Sequence, residues 1–234
     1  MEAVRERVRN VPAAIQPGYH ARVRQDVLPL LPPGGGTLLD VGGGTGATAS
    51  WLREIGRADR VGVLDRVPAT ERLGFSAVGD IEDGETLGAL IAREGPFQTV
   101  LCLDVLEHLR DPWAIVRRLH RGLAPGGVII ASIPNVRNFT ALAPLLLRNR
   151  WDLKDAGVLD RTHLRFFVRN SAIQLMTSSG LVLDGLRANP SGGRSVRVFR
   201  ALTAGLLNSF TDLQYLIRVR NSGADPQGEG PCVP

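Results

Sequence analysis

The stretch LLDVGGGTGA, residues 38–47, decides how the rest of the chain is read. Leu38, Leu39 and Val41 surround one acid, Asp40, and run into four glycines (Gly42, Gly43, Gly44 and Gly46) with Thr45 among them. TASWLREIG (48–56) follows with helical spacing, Trp51, Leu52 and Ile55 on one side and Gly56 at its end. A short apolar strand, a glycine loop and a helix make a turn in which a ligand can touch the backbone.

Outward from that turn, strand and helix patterns alternate. YHARVRQDVLPLL (19–31) carries Val23, Val27 and Leu30 or Leu31 at helical spacing, and PPGGG (32–36) ends it. TLLDV (37–41), RVGVLD (60–65), FSAVGD (75–80) and FQTVLCLD (97–104) read as strands, the last nearly all apolar, as a strand covered on both faces should be. ETLGALIAREG (85–95) suits a helix. DPWAIVRRLHRGL (111–123) opens one with Asp111 as N-cap and Pro112 at N1. GGVIIASIP (126–134) is a fifth strand. Residues 137–168 break the alternation and read as a cap. A helix over 170–179, a strand over 181–188, a helix in SVRVFRALTAGLLN and a last strand over 212–220 then complete the chain. Repeated strand–helix–strand units predict a doubly wound, parallel α/β sheet with right-handed crossovers. Ligands bind such sheets outside the carboxyl ends of the strands. There the sequence gathers Gly42 to Gly46, Asp65, Asp80, Asp104 to His108, and Pro134 with Asn135.

Composition bounds the rest. The chain has 234 residues, 44% of them hydrophobic, enough for a single domain over 1–220, with 221–234 expected to be a disordered tail. No apolar run reaches the roughly 18–20 residues of a membrane span, and the N-terminus lacks an apolar signal core, which points to a cytoplasmic location. Cys102 and Cys232 have neither metal spacing nor an expected disulfide. The net charge of +5 is almost all arginine, and no basic run is interleaved with aromatics, which argues against nucleic acid. The sequence leaves the oligomeric state open, a homodimer included.

Taken alone, the loop admits two ligands. Gly42, Gly44 and Ala47 satisfy G-x-G-x-x-A, and Asp65 lies about 20 residues on, as in dinucleotide sites. Charge separates the two. Asp40 would repel a pyrophosphate, whereas it suits the ammonium and sulfonium of S-adenosylmethionine. Asp65 is then placed for the ribose hydroxyls, and Asp80 with Ile81 for the adenine amine and ring.

LLDVGGGTG, VGVLD, VGDIED, LCLDVLEHLRDP and LAPGGVIIASIPNV, in this order, resemble the motifs of the class I S-adenosylmethionine-dependent methyltransferases across about 19–220. The resemblance implies a Rossmann-like seven-stranded sheet in the order 3-2-1-4-5-7-6, its last strand antiparallel, with the cap as an insertion. It also implies S-adenosylmethionine as cofactor, held by Asp40, Gly42, Gly44, Gly46, Asp65, Arg66, Asp80, Ile81, Leu103, Asp104 and Tyr19. DVLEHL, SIPNV and GVLDRTHLRFF (157–167) are similar to a subgroup associated with polysaccharide biosynthesis and quinone-pathway O-methylation.

Methyl transfer to oxygen needs in-line approach to the sulfonium and removal of a hydroxyl proton. His108, after the fourth strand, is the first candidate base; His163 in the cap is the second, with Glu107 beside them. Arg161, Arg165 and Asn135 are candidate contacts to an anionic small-molecule or glycan acceptor. Some relatives in the wider family bind a divalent ion through E-x-x-E-H and a distant histidine. Here the set would be Asp104, Glu107, His108 and His163, an alternative ranked below His108 as base. The expected activity is O-methylation of a sugar or other small polar acceptor. The alternatives are N-methylation of an amino sugar, NAD-type oxidoreduction, and a non-catalytic cofactor-binding partner subunit.

Overall fold

Residues 23–223 are described in a computed structural model of the chain. Seven strands form one sheet in the order β3-β2-β1-β4-β5-β7-β6. They are β1 (Thr37–Val41), β2 (Arg60–Asp65), β3 (Phe75–Val78), β4 (Phe97–Leu103), β5 (Leu123–Pro134), β6 (Val182–Pro190) and β7 (Asp212–Arg220). The first five pair in parallel, while β7 runs antiparallel to both β5 and β6. The helices are α1 (Ala47–Glu54), α2 (Gly84–Glu94), α3 (Pro112–Arg121), α4 (Phe139–Arg148), α5 (Arg169–Thr177) and α6 (Arg194–Leu202).

Both faces of the sheet are covered, which is why β1 and β4 read as apolar runs without alternation. On one face Leu39, Val41, Cys102, Ile129 and Ile217 pack beneath Leu87 of α2, Ile115 and Leu119 of α3 and Leu175 of α5. On the other, Leu38, Val63, Leu101 and Ile130 pack against Leu52 of α1 and Val27 and Leu30 upstream of β1. Asp40 alternates with Leu39 and Val41, so it lies on the second face, at the carboxyl end of β1. The chain reversal before α3 uses the expected cap, Asp111 accepting from the Ala114 N–H at 2.9 Å.

Several boundaries differ from expectation. The helix expected over 19–31 is, within the described residues, a 3-10 turn over Gln25–Leu30 with Pro29 inside it. Proline lacks the N–H an α-helix would use there. β3 stops at Val78, two residues short: the Gly79 N–H still donates to the Asp65 carbonyl at 2.9 Å, and Asp80 then opens a turn into α2, its carbonyl accepting the Asp83 N–H at 3.0 Å. β5 begins at Leu123 rather than 126, pairing Leu123 with Phe97 before a register shift. The insertion over 137–168 consists of α4 followed by an irregular arm, and the arm's end returns to the sheet where Asn135 bridges Phe167. Tyr19 and residues 224–234, the bulk of the expected tail, lie outside the described residues.

Candidate active site

At the carboxyl rim, the ends of β1, β4, β6 and β7 enclose a cleft of about 680 Å³ lined by residues that include Arg24, Asp26, Asp40, Gly43, Asp104 and Gln214. The β1–α1 loop forms one wall. Gly42, Gly44 and Gly46 sit at φ of 73°, 58° and 93°, a region side chains other than glycine rarely adopt. A Cβ on Gly43 would lie 2.5 Å from the Asp40 carboxyl carbon, so the loop closes directly over that acid. Burial pushes the Asp40 carboxyl up to about 7; the charge of Asp65 adds to the rise and that of Arg24 opposes it. Asp65 ends β2 and accepts the Gly44 N–H at 2.7 Å and the Val67 N–H at 2.9 Å, tying the glycine loop to the second strand.

The residue that the sequence reading passed over is Arg24. Its guanidinium is largely buried, forms two bonds of 3.0 Å to Asp26 and a third, very short one to Asp104. Burial works against its charge, but the bonds to Asp26 and the field of Asp104 more than offset this and raise its pKa further. Asn189 of β6 donates to Asp26 at 2.9 Å, and the Ser132 hydroxyl of β5 donates to Asp104 at 2.5 Å. With its amide nitrogen toward Asp104, Gln214 links the same acid to Asn189 and Arg24. Four separate segments thus hold one cation over the mouth of the glycine loop. In the sequence, Arg24 is one of many arginines on a short amphipathic stretch, and only tertiary contact distinguishes it.

Among the residues expected at the adenine, Asp80 accepts from Arg66 at 2.6 Å and from the Glu82 N–H at 2.9 Å, and Ile81 packs in the core. Leu103 and Asp104 line the cleft.

Beyond β4 a second cluster forms. The 3-10 turn Leu106–His108 carries Glu107 and His108, and the cap arm brings His163 onto them, with ligand atoms of all three within 4.8 Å of one another. The arm is docked by main-chain bonds: the Leu164 and Arg165 N–H groups donate to the Glu107 carbonyl at 2.8 and 3.0 Å. His108 Nδ1 faces the Thr162 carbonyl at 3.2 Å and its hydroxyl at 3.1 Å, and His163 Nδ1 faces the Val158 carbonyl at 3.1 Å. A carbonyl only accepts, so each Nδ1 carries the proton and each Nε2 lone pair is left for other work. The rings meet edge to face at 4.7 Å. Burial and the neighbouring His108 charge lower the His163 pKa.

Glu107 is 1% exposed, and neither carboxylate oxygen has a hydrogen-bond partner. Burial, with the charge of Asp104, raises its pKa well above the ordinary range. A carboxyl buried without donors is costly unless a cation or a proton joins it. Asp104 is not part of this group: its oxygens are taken by Arg24 and Ser132, and its backbone sits at φ 57°.

The candidate acceptor contacts are each engaged with protein partners. Asn135 is fully buried, donates to the Ser209 and Asp212 carbonyls at 2.7 and 2.9 Å, and accepts the Arg137 N–H at 3.1 Å; it pins the sheet rim rather than facing a ligand. Arg161 pairs with Asp155 at 2.7 Å, both side chains exposed, and Arg165 donates to the Arg110 carbonyl at 2.5 Å. What lies near His163 instead is aromatic: Phe166 at 6.3 Å, itself edge to face with Trp151 at 5.3 Å, both partly exposed.

A buried acid under a glycine loop, a rim of carboxylates after successive parallel strands and an antiparallel β7 define a methyltransferase fold. Residues 11–185 match the family model described as Methyltransferase domain, and the chain belongs to that family, the S-adenosylmethionine-dependent methyltransferases. A ubiquinone biosynthesis O-methyltransferase of Xanthomonas axonopodis pv. citri is 29% identical over 174 residues, 67% of this chain and 70% of the relative. Among solved structures, a SAM-dependent methyltransferase from Archaeoglobus fulgidus superposes with a TM-score of 0.57 at 13% identity, covering 94% of this chain and 93% of that one. The N-methyltransferase NodS of Bradyrhizobium japonicum, solved with S-adenosylhomocysteine, does so at 0.50 and 17% identity, over 80% and 79%. Among the described residues no helix is long and apolar enough to cross a membrane.

Proposed function

We propose that this chain moves the sulfonium methyl of S-adenosylmethionine to a hydroxyl oxygen of a small acceptor seated between the cleft and the Glu107–His108–His163 group. The observation that carries the reading is Glu107, a buried carboxyl with two orphaned oxygens facing two imidazoles whose Nε2 lone pairs are unspent. Such a costly arrangement is offset when the group binds something. One mixed oxygen–nitrogen donor set of this kind fits a divalent cation, and both histidines show the carbonyl-anchored Nδ1–H that orients metal-binding imidazoles. Bound there, a cation lowers the pKa of the acceptor hydroxyl. This shifts the weight from His108 acting alone as base, the preference drawn from the sequence, to the three residues acting as one site.

The oxygen acceptor is supported by relatives named as ubiquinone biosynthesis O-methyltransferases. Those names give no support to a polysaccharide acceptor. The partly exposed Phe166, Trp151 and Leu164 around His163 favour an aromatic or otherwise apolar acceptor carrying a phenol-type hydroxyl. On the cofactor side, Asp40 answers the cationic end of the methionine part. Arg24, already between two carboxylates, exchanges one of them for the methionine carboxylate, and Asp65 serves the ribose.

Dialysis against a chelator is expected to remove turnover on a catechol-type acceptor, and added magnesium or zinc to restore it. Full activity after chelation returns the role of base to His108. Independently, Arg24→Gln should weaken S-adenosylhomocysteine binding about tenfold or more, from the roughly 1.5–3 kcal/mol of a charged hydrogen bond. Calorimetry that finds wild-type affinity removes Arg24 from the cofactor site.

A further inference from the structure

A second cavity, of about 510 Å³, lies apart from the cleft, at the start of α5 and the upper ends of β6 and β7. Its charged lining is Arg137, Arg169, Arg200 and Asp212. Asp212 is spoken for: it pairs with Arg200 at 2.6 Å. Arg169 and Arg137 form no ion pair among the described residues, and Arg137 lies instead over the Phe210 ring at 4.3 Å. The cavity therefore carries two uncompensated guanidinium charges.

Two further features line the same space. Val168, Arg169 and Asn170 of its wall are the N-cap and first residues of α5. That helix has no acid in its first turn, and its first backbone bond is the Ala172 N–H to the Val168 carbonyl, so the preceding amides have no helical acceptor. Tyr215 stands in the wall, 2% exposed, and its hydroxyl has no partner. Burial and the charge of Asp212 raise its pKa, so the phenol stays protonated and can donate. Helix amides, two free guanidinium groups and a spare buried hydroxyl are all donors, and a tetrahedral oxyanion is the ligand that accepts from all of them.

The position matters as well. Val136 N–H donates to the Phe167 carbonyl at 2.9 Å, beside the Asn135–Phe167 bridge. The two strands of chain that lead into and out of the cap run side by side there. Arg137 follows one and Arg169 the other.

We propose that this cavity is a binding site for a phosphate-type oxyanion, held by Arg137, Arg169, the first amides of α5 and the Tyr215 hydroxyl. Such an anion bridges both roots of the cap without touching the cofactor. The shared chemistry is a phosphate group, whether free in solution or carried by a lipid headgroup.

The test titrates the full chain with inorganic phosphate by calorimetry, and separately with phosphatidylglycerol and phosphatidylcholine vesicles by sedimentation. One saturable phosphate site per chain is expected. Arg137→Gln combined with Arg169→Gln, both exposed positions that leave the fold intact, should weaken it about tenfold or more, and Tyr215→Phe by about threefold. S-Adenosylhomocysteine affinity, measured on the same variants, should stay at the wild-type value. Binding only to phosphatidylglycerol vesicles, lost in the double variant, also supports the site and assigns the phosphate to a lipid. No saturable binding of either probe, binding that the double variant retains, or phosphate displaced by S-adenosylhomocysteine overturns the proposal.

Discussion

Glu107→Gln is expected to lower turnover by about a hundredfold or more, the range set by loss of proton-activating groups and metal ligands, while S-adenosylhomocysteine affinity stays within about twofold. The split follows from position. Glu107 lies on the turn after β4, outside the lining of the cleft beside the glycine loop, with its carboxylate within 4.8 Å of His108 and His163 ring nitrogens. The same residue should cost the ligand-free chain stability. Its carboxyl is buried with no partner, so Glu107→Leu, which keeps the volume and removes the polar atoms, should stabilise that form by about 1–3 kcal/mol, several degrees in Tm for a chain this size. The sign with pH follows from the raised pKa. The folded chain keeps a proton that the unfolded chain releases above about pH 4, so wild-type stability declines as pH rises from there. Glu107→Leu lacks that decline, and its advantage should grow with pH. A variant that is inactive and also destabilised would show Glu107 to be a structural residue.

The sheet was legible because it follows from local signals that agree with one another. Continuous apolar runs fixed the parallel strands, Asp111–Pro112 and Gly56 marked helix ends, and the glycine loop marked the strand ends that open onto the cleft. Asp40 stood out because it is the one acid in the apolar strand before the loop, and it lines the cleft beneath Gly43. The same approach failed where a residue's role is set by its partner. Arg24, Ser132 and Gln214 meet at Asp104 from three distant segments, and no spacing in the chain records that. Asn135 reads as a rim residue open to ligand, but the Ser209 and Asp212 carbonyls consume both its N–H groups. Asp104 and Glu107 are near neighbours in DVLEH, yet the positive φ of Asp104 turns the chain so that one acid serves the cleft and the other the histidine pair. The metal set was legible as an alternative in DVLEH and the distant His163, but what favours it over His108 alone, the absence of partners around the Glu107 oxygens, is a property of the folded chain.

Asp40→Asn is expected to weaken cofactor binding by about ten- to a hundredfold, the loss of a charged partner in a water-poor site, and to abolish a pH dependence that the wild type shows. In the ligand-free chain burial holds the Asp40 pKa at about 7, so near neutrality the acid is partly protonated. A cationic ligand end favours the carboxylate, and binding therefore expels a proton. Below pH 7 that proton must be removed first, and wild-type affinity should fall by up to about tenfold per pH unit, levelling off above neutrality. Folding responds in the opposite sense. The unfolded chain releases this proton near pH 4 and the folded chain near 7, so across that window the folded state binds more protons. Its stability declines as pH rises, by up to about 1.4 kcal/mol per unit. Asparagine removes both slopes together, which separates a charge effect from a lost contact. Denaturant titrations and calorimetry between pH 5 and 8 measure the two on the same samples. If affinity is flat with pH in the wild type, Asp40 is already ionised or is not near the ligand's charge, and its place beneath Gly43 then reflects loop packing alone.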